Sequence, residues 1–409
     1  MFENLVAQEA GKSLISDIKS ARFPRAVLFS GAEASGKLTA ALECARIFSC
    51  SGTAERWGSW QCGCPQCLQS KSLTSTGTVL MGPRDCSLEI AAAQKTFLDA
   101  VASSAQFLTA ARYLYIRSIR KLTMRFNPIL WQGDSDLGKI GSVMEEINED
   151  LERLDFPRDL PSMDELRKIT ENLAKQTSRL EDDFLYSSIP ISQVRNMEAW
   201  AHIKSEDGRK TVIIENADRM LEGVRNALLK ILEEPPADCV FILLTSRRNA
   251  MMQTILSRVR TYTFRERAME SQADVISRVF HDSEACGKLT INDYLLTFLP
   301  VPPSQIKNTA DDFCNAVASR RIIDCNALAK SSGNFSPRVE LRLFLHYIAA
   351  HYSALRFSQA GSEAGAKVMA LLRKCYDNVV SYNQTAGAAL ETLFRDLSAI
   401  NAQNGGILQ

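Results

Sequence analysis

Three clusters of residues in this chain have the types and spacing to do chemistry. The first is FSGAEASGKLT at residues 29–39, where Gly31, Gly36 and Lys37 have the spacing of a phosphate-binding loop. Glycines let successive backbone N–H groups turn toward phosphate oxygens, a helix N-terminus adds positive potential, and Lys37 supplies a charge. The position that should carry a Ser or Thr hydroxyl for magnesium holds Leu38, and Thr39 comes one place late. The second cluster is VIIENAD at residues 212–218, where a P-loop enzyme needs carboxylates to hold the metal and position water. Glu215 has the reach to hold a metal. Asn216 stands where the activating carboxylate would be, and an amide cannot take a proton from water. Efficient hydrolysis is therefore not expected. Two readings stay open: ATP or ADP held without turnover, and a worn site kept as a turn, the second being preferred.

The third cluster is Cys50-x11-Cys62-x-Cys64-x2-Cys67. Four thiolates in one short loop suit a tetrahedral structural zinc with no open position for catalysis. Only Gly63 separates Cys62 from Cys64, which strains two ligands on one ion. Free loop thiols are the alternative, and a redox role for Cys64 and Cys67 has little support outside a thioredoxin-like context.

The elements that must position these groups can be read from hydrophobic periodicity. RAVLFSG at 25–31 is a buried strand entering a glycine turn, and KLTAALECARIFSC continues as a helix with Leu38, Leu42, Ala45 and Phe48 at helical spacing. GTVLMG, KTVIIENAD and CVFILLTS read as further strands, with the helix VRNALLKILEE between the last two stopped by Pro235 and Pro236. Strands alternating with helices around a phosphate loop predict a mainly parallel sheet covered on both faces. From about residue 88 to 126 the pattern is helical, with Arg117, Arg120, Lys121 and Arg125 sharing one face. A helical hairpin is predicted over residues 141–185, with Ser162 and Glu165 forming a capping box at the start of its second helix. Beyond residue 265 the strand signals vanish, and KSSGNFSPR reads as a linker between two helical segments.

Composition bounds the rest. A chain of 409 residues is too long for one typical core, so roughly two to four domains are expected. A net charge of +1 gives no global field to draw the chain to nucleic acid or membrane. No apolar stretch of about 18 residues is present and the first twenty residues lack a secretory pattern, so a cytoplasmic protein with no membrane partner is expected. Eleven cysteines then read as thiols in a reducing compartment.

SGAEASGKLTAALECAR, VIIENADRM, NALLKILEEPP and TILSR, in that order, resemble the delta-prime family of bacterial DNA polymerase III clamp-loader subunits, relatives within the AAA+ group. The gamma/tau motor subunits look similar too. The resemblance covers about residues 1–80 and 188–265. It implies an α/β AAA+ core over 1–265, carrying a zinc loop at about 50–67 and a helical insertion at about 85–187. A small helical lid over 266–330 and an all-helical collar over 331–409 would follow. It also implies a place in a pentameric ring with gamma/tau-like and delta-like subunits, working with the sliding clamp and primed DNA. The family carries a four-cysteine zinc module where Cys50, Cys62, Cys64 and Cys67 stand. Its Ser-Arg-Cys motif presents an arginine finger to the neighbouring subunit's ATP, and here the sequence is Ser257-Arg258-Val259. A guanidinium on the γ-phosphate contributes about 10³-fold or more in rate; the alternative is a surface arginine paired with a carboxylate. Leu38, Glu215 and Asn216 fit a non-catalytic stator better than a gamma/tau-like motor, which remains the alternative. The resemblance says nothing about the insertion. Its basic helix, with Tyr113, Tyr115 and Phe126, could touch DNA, but pairing with the Glu-rich helix beside it is preferred.

Overall fold

A computed structural model of the chain describes residues 1–205, 208–335, 338–353, 359–380, 382 and 384–403. The chain divides into two compact units, Met1–Tyr294 and Leu295–Gln409.

The first unit is built on five strands: β1 (Ala26–Gly31), β2 (Thr78–Met81), β3 (Lys210–Ile214), β4 (Cys239–Thr245) and β5 (Arg260–Phe264). They form one sheet in the order β2-β3-β4-β1-β5, and every neighbouring pair is parallel. β2, β3 and β4 are buried along their whole length. Continuous runs of Val, Ile and Leu are what a sheet covered on both faces requires. Successive residues point to opposite faces, so each strand feeds two cores. Leu28, Val79, Val212, Ile214, Phe241 and Leu243 enter one; Val27, Phe29, Leu80, Ile213, Ile242 and Leu244 enter the other.

α1 (Ala10–Lys19) and α2 (Lys37–Ser49) cover the second face. Asp17 of α1 fastens the edge strand β5, accepting a hydrogen bond from Tyr262 Oη at 2.7 Å and pairing with Arg260 at 2.7 Å. The short α3 (Pro65–Ser72) follows the cysteine loop. Between β2 and β3 run α4 (Ser87–Ala102), α5 (Leu108–Thr123), α6 (Leu137–Leu154), α7 (Met163–Arg179) and α8 (Ile191–His202). α6 and α7 make the predicted hairpin, and Ser162 Oγ accepts the Glu165 N–H at 3.4 Å. The apolar stripes of the two helices, Val143, Ile147, Leu151, Leu154 and Leu166, Ile169, Leu173, Leu180, are buried, and Phe184, which extends the second, is half-buried against the same core. They share one continuous core with the sheet, so the inserted helices are part of the α/β unit rather than an appendage. α9 (Glu222–Glu233) and α10 (Gln253–Leu256) flank β4, and α11 (Met269–Val275) comes after β5.

The unit boundary falls within the short α12 (Ile291–Leu296). The second unit contains α13 (Pro303–Ser319), α14 (Cys325–Ser331), α15 (Arg338–His351), α16 (Gln359–Val380) and α17 (Ala386–Gln403). α13 packs on α15, α15 on α16, and α17 on α13, α14 and α16. Its core includes Phe313, against whose ring Phe344 and Phe394 stand edge-on. Of the linker expected at KSSGNFSPR, residues 333–335 form a 3-10 turn, and residues 336 and 337 lie outside the described residues. No strand follows β5 among the described residues, and none of the described helices is long and apolar enough to cross a membrane. A parallel sheet with helices on both faces, a helical insertion and an all-helical C-terminal region is the fold class the sequence implied.

Candidate nucleotide cleft and metal site

The phosphate-loop segment joins β1 to α2 as its spacing requires. Gly31 leaves no room for a side chain, since a Cβ there would lie 1.9 Å from the Phe264 carbonyl oxygen. Gly36 has φ +91°, in the left-handed region that glycine occupies at low cost. Lys37 Nζ turns back into the loop, donating to the Gly31 carbonyl at 2.6 Å and to that of Ala32. Burial lowers the Lys37 ammonium to about 8, against the opposing pull of Glu215 and Glu33. Leu38 is buried in the core under the sheet and Thr39 is exposed. Arg267 closes over the loop, donating to the carbonyls of Val6 and Ala34.

The other half of the cleft lies just beyond β3. Glu215 is buried, and both of its oxygens are taken: Oε1 accepts from Arg84 Nη1 at 2.8 Å, and Oε2 from Arg125 Nη2. Burial opposes ionisation, but Arg84 and then Arg125 hold the carboxyl below the usual 4.5. Arg84 also reaches Glu89 at 2.8 Å, and Lys121 pairs with the other Glu89 oxygen. Burial would raise the Glu89 carboxyl, yet Lys121 and Arg84 bring it to about 2. Asn216, at φ +49°, donates its Nδ2 to the Pro83 carbonyl at 2.6 Å. Asp218 accepts from Thr245 Oγ1 at 2.7 Å and pairs with Arg247 at 2.7 Å. A magnesium ion would need a free carboxylate and a hydroxyl at these positions, and the residues present do not fit it.

Ser257 is exposed, beside Arg258. Arg258 donates Nη1 to the Thr254 carbonyl at 2.7 Å and Nε to Glu233 Oε1 at 2.8 Å. Within the single chain the carboxylate-paired surface arginine therefore has its partner in Glu233. Val259 packs into the sheet core.

The cysteine loop runs from the end of α2 to α3. Cys50, Cys62, Cys64 and Cys67 bring their sulfurs within 4.8 Å of one another. The Cys50–Cys62 separation is 3.7 Å, and four thiolates on one tetrahedral zinc, at about 2.3 Å each, stand about 3.8 Å apart. The donor set fits zinc, and the single-residue gap at Gly63 does not keep Cys62 and Cys64 from converging. Gly52 makes room, since a Cβ there would meet Cys62 Sγ at 2.7 Å. Arg46 supplies countercharge: it is paired with Glu43 at 2.6 Å and donates Nη1 to Cys67 Sγ at 3.2 Å. Burial would raise the Cys64 thiol, but hydrogen bonds from the N–H of Cys67 and from Ser51 outweigh it and hold the thiol at about 6.

With this geometry established, the chain can be set beside known proteins. Residues 143–268 match the family model described as "DNA polymerase III, delta subunit". The DNA polymerase III subunit delta' of Bacillus subtilis is 36% identical over 78 residues, 19% of this chain and 24% of its own. That of Pseudomonas aeruginosa is 36% identical over 80 residues, again 19% and 24%. Over these matched segments the chain is similar to delta-prime subunits. Subunit tau of Bacillus subtilis is 42% identical over 66 residues, 16% of this chain and 11% of its own. The matched segments thus span about a quarter or less of the relatives' lengths. A solved gamma subunit-related protein of Thermotoga maritima is 17% identical and covers 57% of this chain and 90% of its own. Its TM-score is only 0.28.

Two features of the chain differ from what its sequence suggested. The basic face of α5 does not pair with the Glu-rich face of α6, whose Glu145, Glu146, Glu149 and Glu152 are exposed. Arg117 and Arg120 instead donate to the carbonyls of Lys71 and Ser72 at the end of α3, joined there by Tyr113 Oη. Arg120 also pairs with Asp155 at 2.5 Å, while Lys121 and Arg125 turn into the cleft. Nor are Tyr115 and Phe126 available to nucleic acid, for both lie in the core. The cleft cluster itself was missed. Arg84 meets Glu215 across 131 positions, and no local spacing carries that signal.

Proposed function

We propose that this chain is a non-hydrolysing clamp-loader subunit of the delta-prime kind, which helps load a sliding clamp on primed DNA and offers Arg258 to a neighbouring subunit's ATP. The observation that carries the reading is Asn216. The position that must activate water in a P-loop hydrolase holds an amide whose Nδ2 is spent on Pro83. Any ATP or ADP held against Gly31, Gly36, Lys37 and Thr39 is bound without turnover. Arg258 lies half-buried against Glu233, so a neighbour's γ-phosphate would compete with a single solvent-screened carboxylate, a contact worth little.

The same reading assigns 1–265 to an AAA+ core, 266–330 to a lid and 331–409 to a collar. It also assigns structural zinc to Cys50, Cys62, Cys64 and Cys67, a ring with gamma/tau-like and delta-like subunits, and a cytoplasmic location. The test is ATP hydrolysis by the purified chain, alone and with candidate motor and delta-like subunits, clamp and primed DNA. We expect no intrinsic turnover, and assembly-dependent turnover that falls about 10³-fold at the adjoining site when Arg258→Ala replaces the wild type. Robust turnover by the isolated chain, abolished by Lys37→Ala, would make it a gamma/tau-like motor instead.

A further inference from the structure

The residues at the cleft do not fit a divalent cation, and the reason is constructive rather than a mere loss. Glu215 has not been deleted; it is ionised, buried and fully engaged by two guanidinium groups. One comes from Arg125, in the 3-10 turn that ends α5, with its side chain 1% exposed and its Nη1 also donating to the Gly82 carbonyl at 2.8 Å. The other comes from Arg84, just after β2, whose second Nη is held by Glu89 of α4. Glu89 is in turn held by Lys121 of α5. The inserted helices thus deliver Arg125 to the carboxylate that would otherwise take a metal and, through Glu89 and Lys121, hold Arg84 beside it.

We propose that Arg84 and Arg125 are a built-in replacement for the divalent cation, so that the insertion closes the metal half of the cleft permanently. The proposal deepens the non-hydrolysing reading above and rests on it. A metal ion could reach Glu215 only by displacing Arg84 or Arg125, and displacement of Arg125 would leave a buried guanidinium without its counter-ion, which a protein interior tolerates poorly. Glu215 then acts as a structural anchor for α4 and α5 and has no part in chemistry. The two roles predict opposite stability effects. A carboxylate retained for metal binding stabilises the metal-free fold little, so neutralising it leaves the melting temperature unchanged or higher. A carboxylate that balances two guanidinium groups is needed by the fold.

Two measurements on the full-length chain test this. In a manganese titration followed by electron paramagnetic resonance, with and without ADP, the wild type should take up no stoichiometric Mn²⁺. The thiolate site does not compete for this oxygen-seeking ion. In thermal melts without divalent ions, Glu215→Gln and Arg125→Met should each lower the midpoint by about 5 °C or more. The double variant should lose clearly less than the sum of the two, and Arg125→Lys less than Arg125→Met. Stoichiometric Mn²⁺ uptake by the wild type that vanishes in Glu215→Gln would overturn the proposal, as would a Glu215→Gln chain that melts at or above the wild type. Mn²⁺ uptake without ATP turnover sinks this inference alone. Turnover by the isolated chain sinks the non-hydrolysing reading with it.

Discussion

Glu181 is a carboxyl whose surroundings disfavour its charge. It lies in a π-turn at Leu180–Phe184, directly after α7, and accepts the Cys86 N–H at 3.0 Å. Burial, reinforced by Asp85, raises it from the usual 4.5 to about 8, against the pull of that N–H and of Arg125. The sign follows from proton linkage. Between about pH 4.5 and 8 the folded chain binds a proton at this site that the unfolded chain has released, so stability must fall as pH rises through that window. Glu181→Gln should remove this slope and raise the melting temperature at pH 8 while changing it little at pH 5. Thermal melts at the two pH values check both effects. Glu89 behaves in the opposite sense, because its folded value near 2 lies below the usual 4.5. Its stabilisation is present above about pH 4.5 and is lost only as pH falls toward 2. As pH falls, Glu181 therefore adds stability between about 8 and 4.5, and Glu89 removes it below 4.5.

At the scale of elements, α2 and α5 organise the site. α2 begins at Lys37 of the phosphate loop and ends at Ser49, one residue before the first cysteine of the metal loop. α5 sets Tyr113, Arg117 and Arg120 on the last carbonyls of α3, where cations are favoured by the helix dipole. Its end carries Lys121 and Arg125 to the cleft. Because α3 carries Cys67 and is capped by Cys64, the metal loop and the inserted helices lean on one another. Zinc chelation is therefore expected to lower the melting temperature and to speed amide exchange in both α3 and the N-terminal half of α5. Exchange in the sheet strands should stay slow. Mass-resolved hydrogen exchange before and after a chelator reads all three. One zinc per chain by elemental analysis, reduced by Cys67→Ser, checks the premise. This coupling was only partly legible beforehand. The cysteine spacing and the hairpin stripes are local patterns, and periodicity exposes them. The contacts of Arg117, Arg120 and Arg125 are not, since a basic helical face looks the same whether it meets water, a nucleic acid or the carbonyl end of another helix.

For the whole molecule, β1 to β4 were legible because a sheet buried on both faces leaves unbroken apolar runs such as VII and VFILL. The edge strand β5, RTYTF with alternating burial, leaves no such run and was not predicted. The glycine loop was legible because Gly31 and Gly36 occupy positions no other residue fits. What could not be read was that residues 85–187 would merge into the sheet's own core. A stripe of Leu, Ile and Val says that a helix is buried but not against what. The hairpin predicted over residues 141–185 is therefore part of one continuous α/β unit.

The fastening of α1 to β5 has a further consequence. β5 has a strand neighbour on one side only, and its other edge offers unpaired backbone groups of the kind that recruit strands from other molecules. α1 packs on β5, and Asp17 fixes it there through Tyr262 and Arg260. The N-terminal helix thus covers one face of the edge strand, and its loss would expose that apolar face next to the open edge. Removing the first twenty residues should leave a chain that scatters light and binds amyloid dyes on mild warming. Asp17→Ala should move part of the way toward that behaviour.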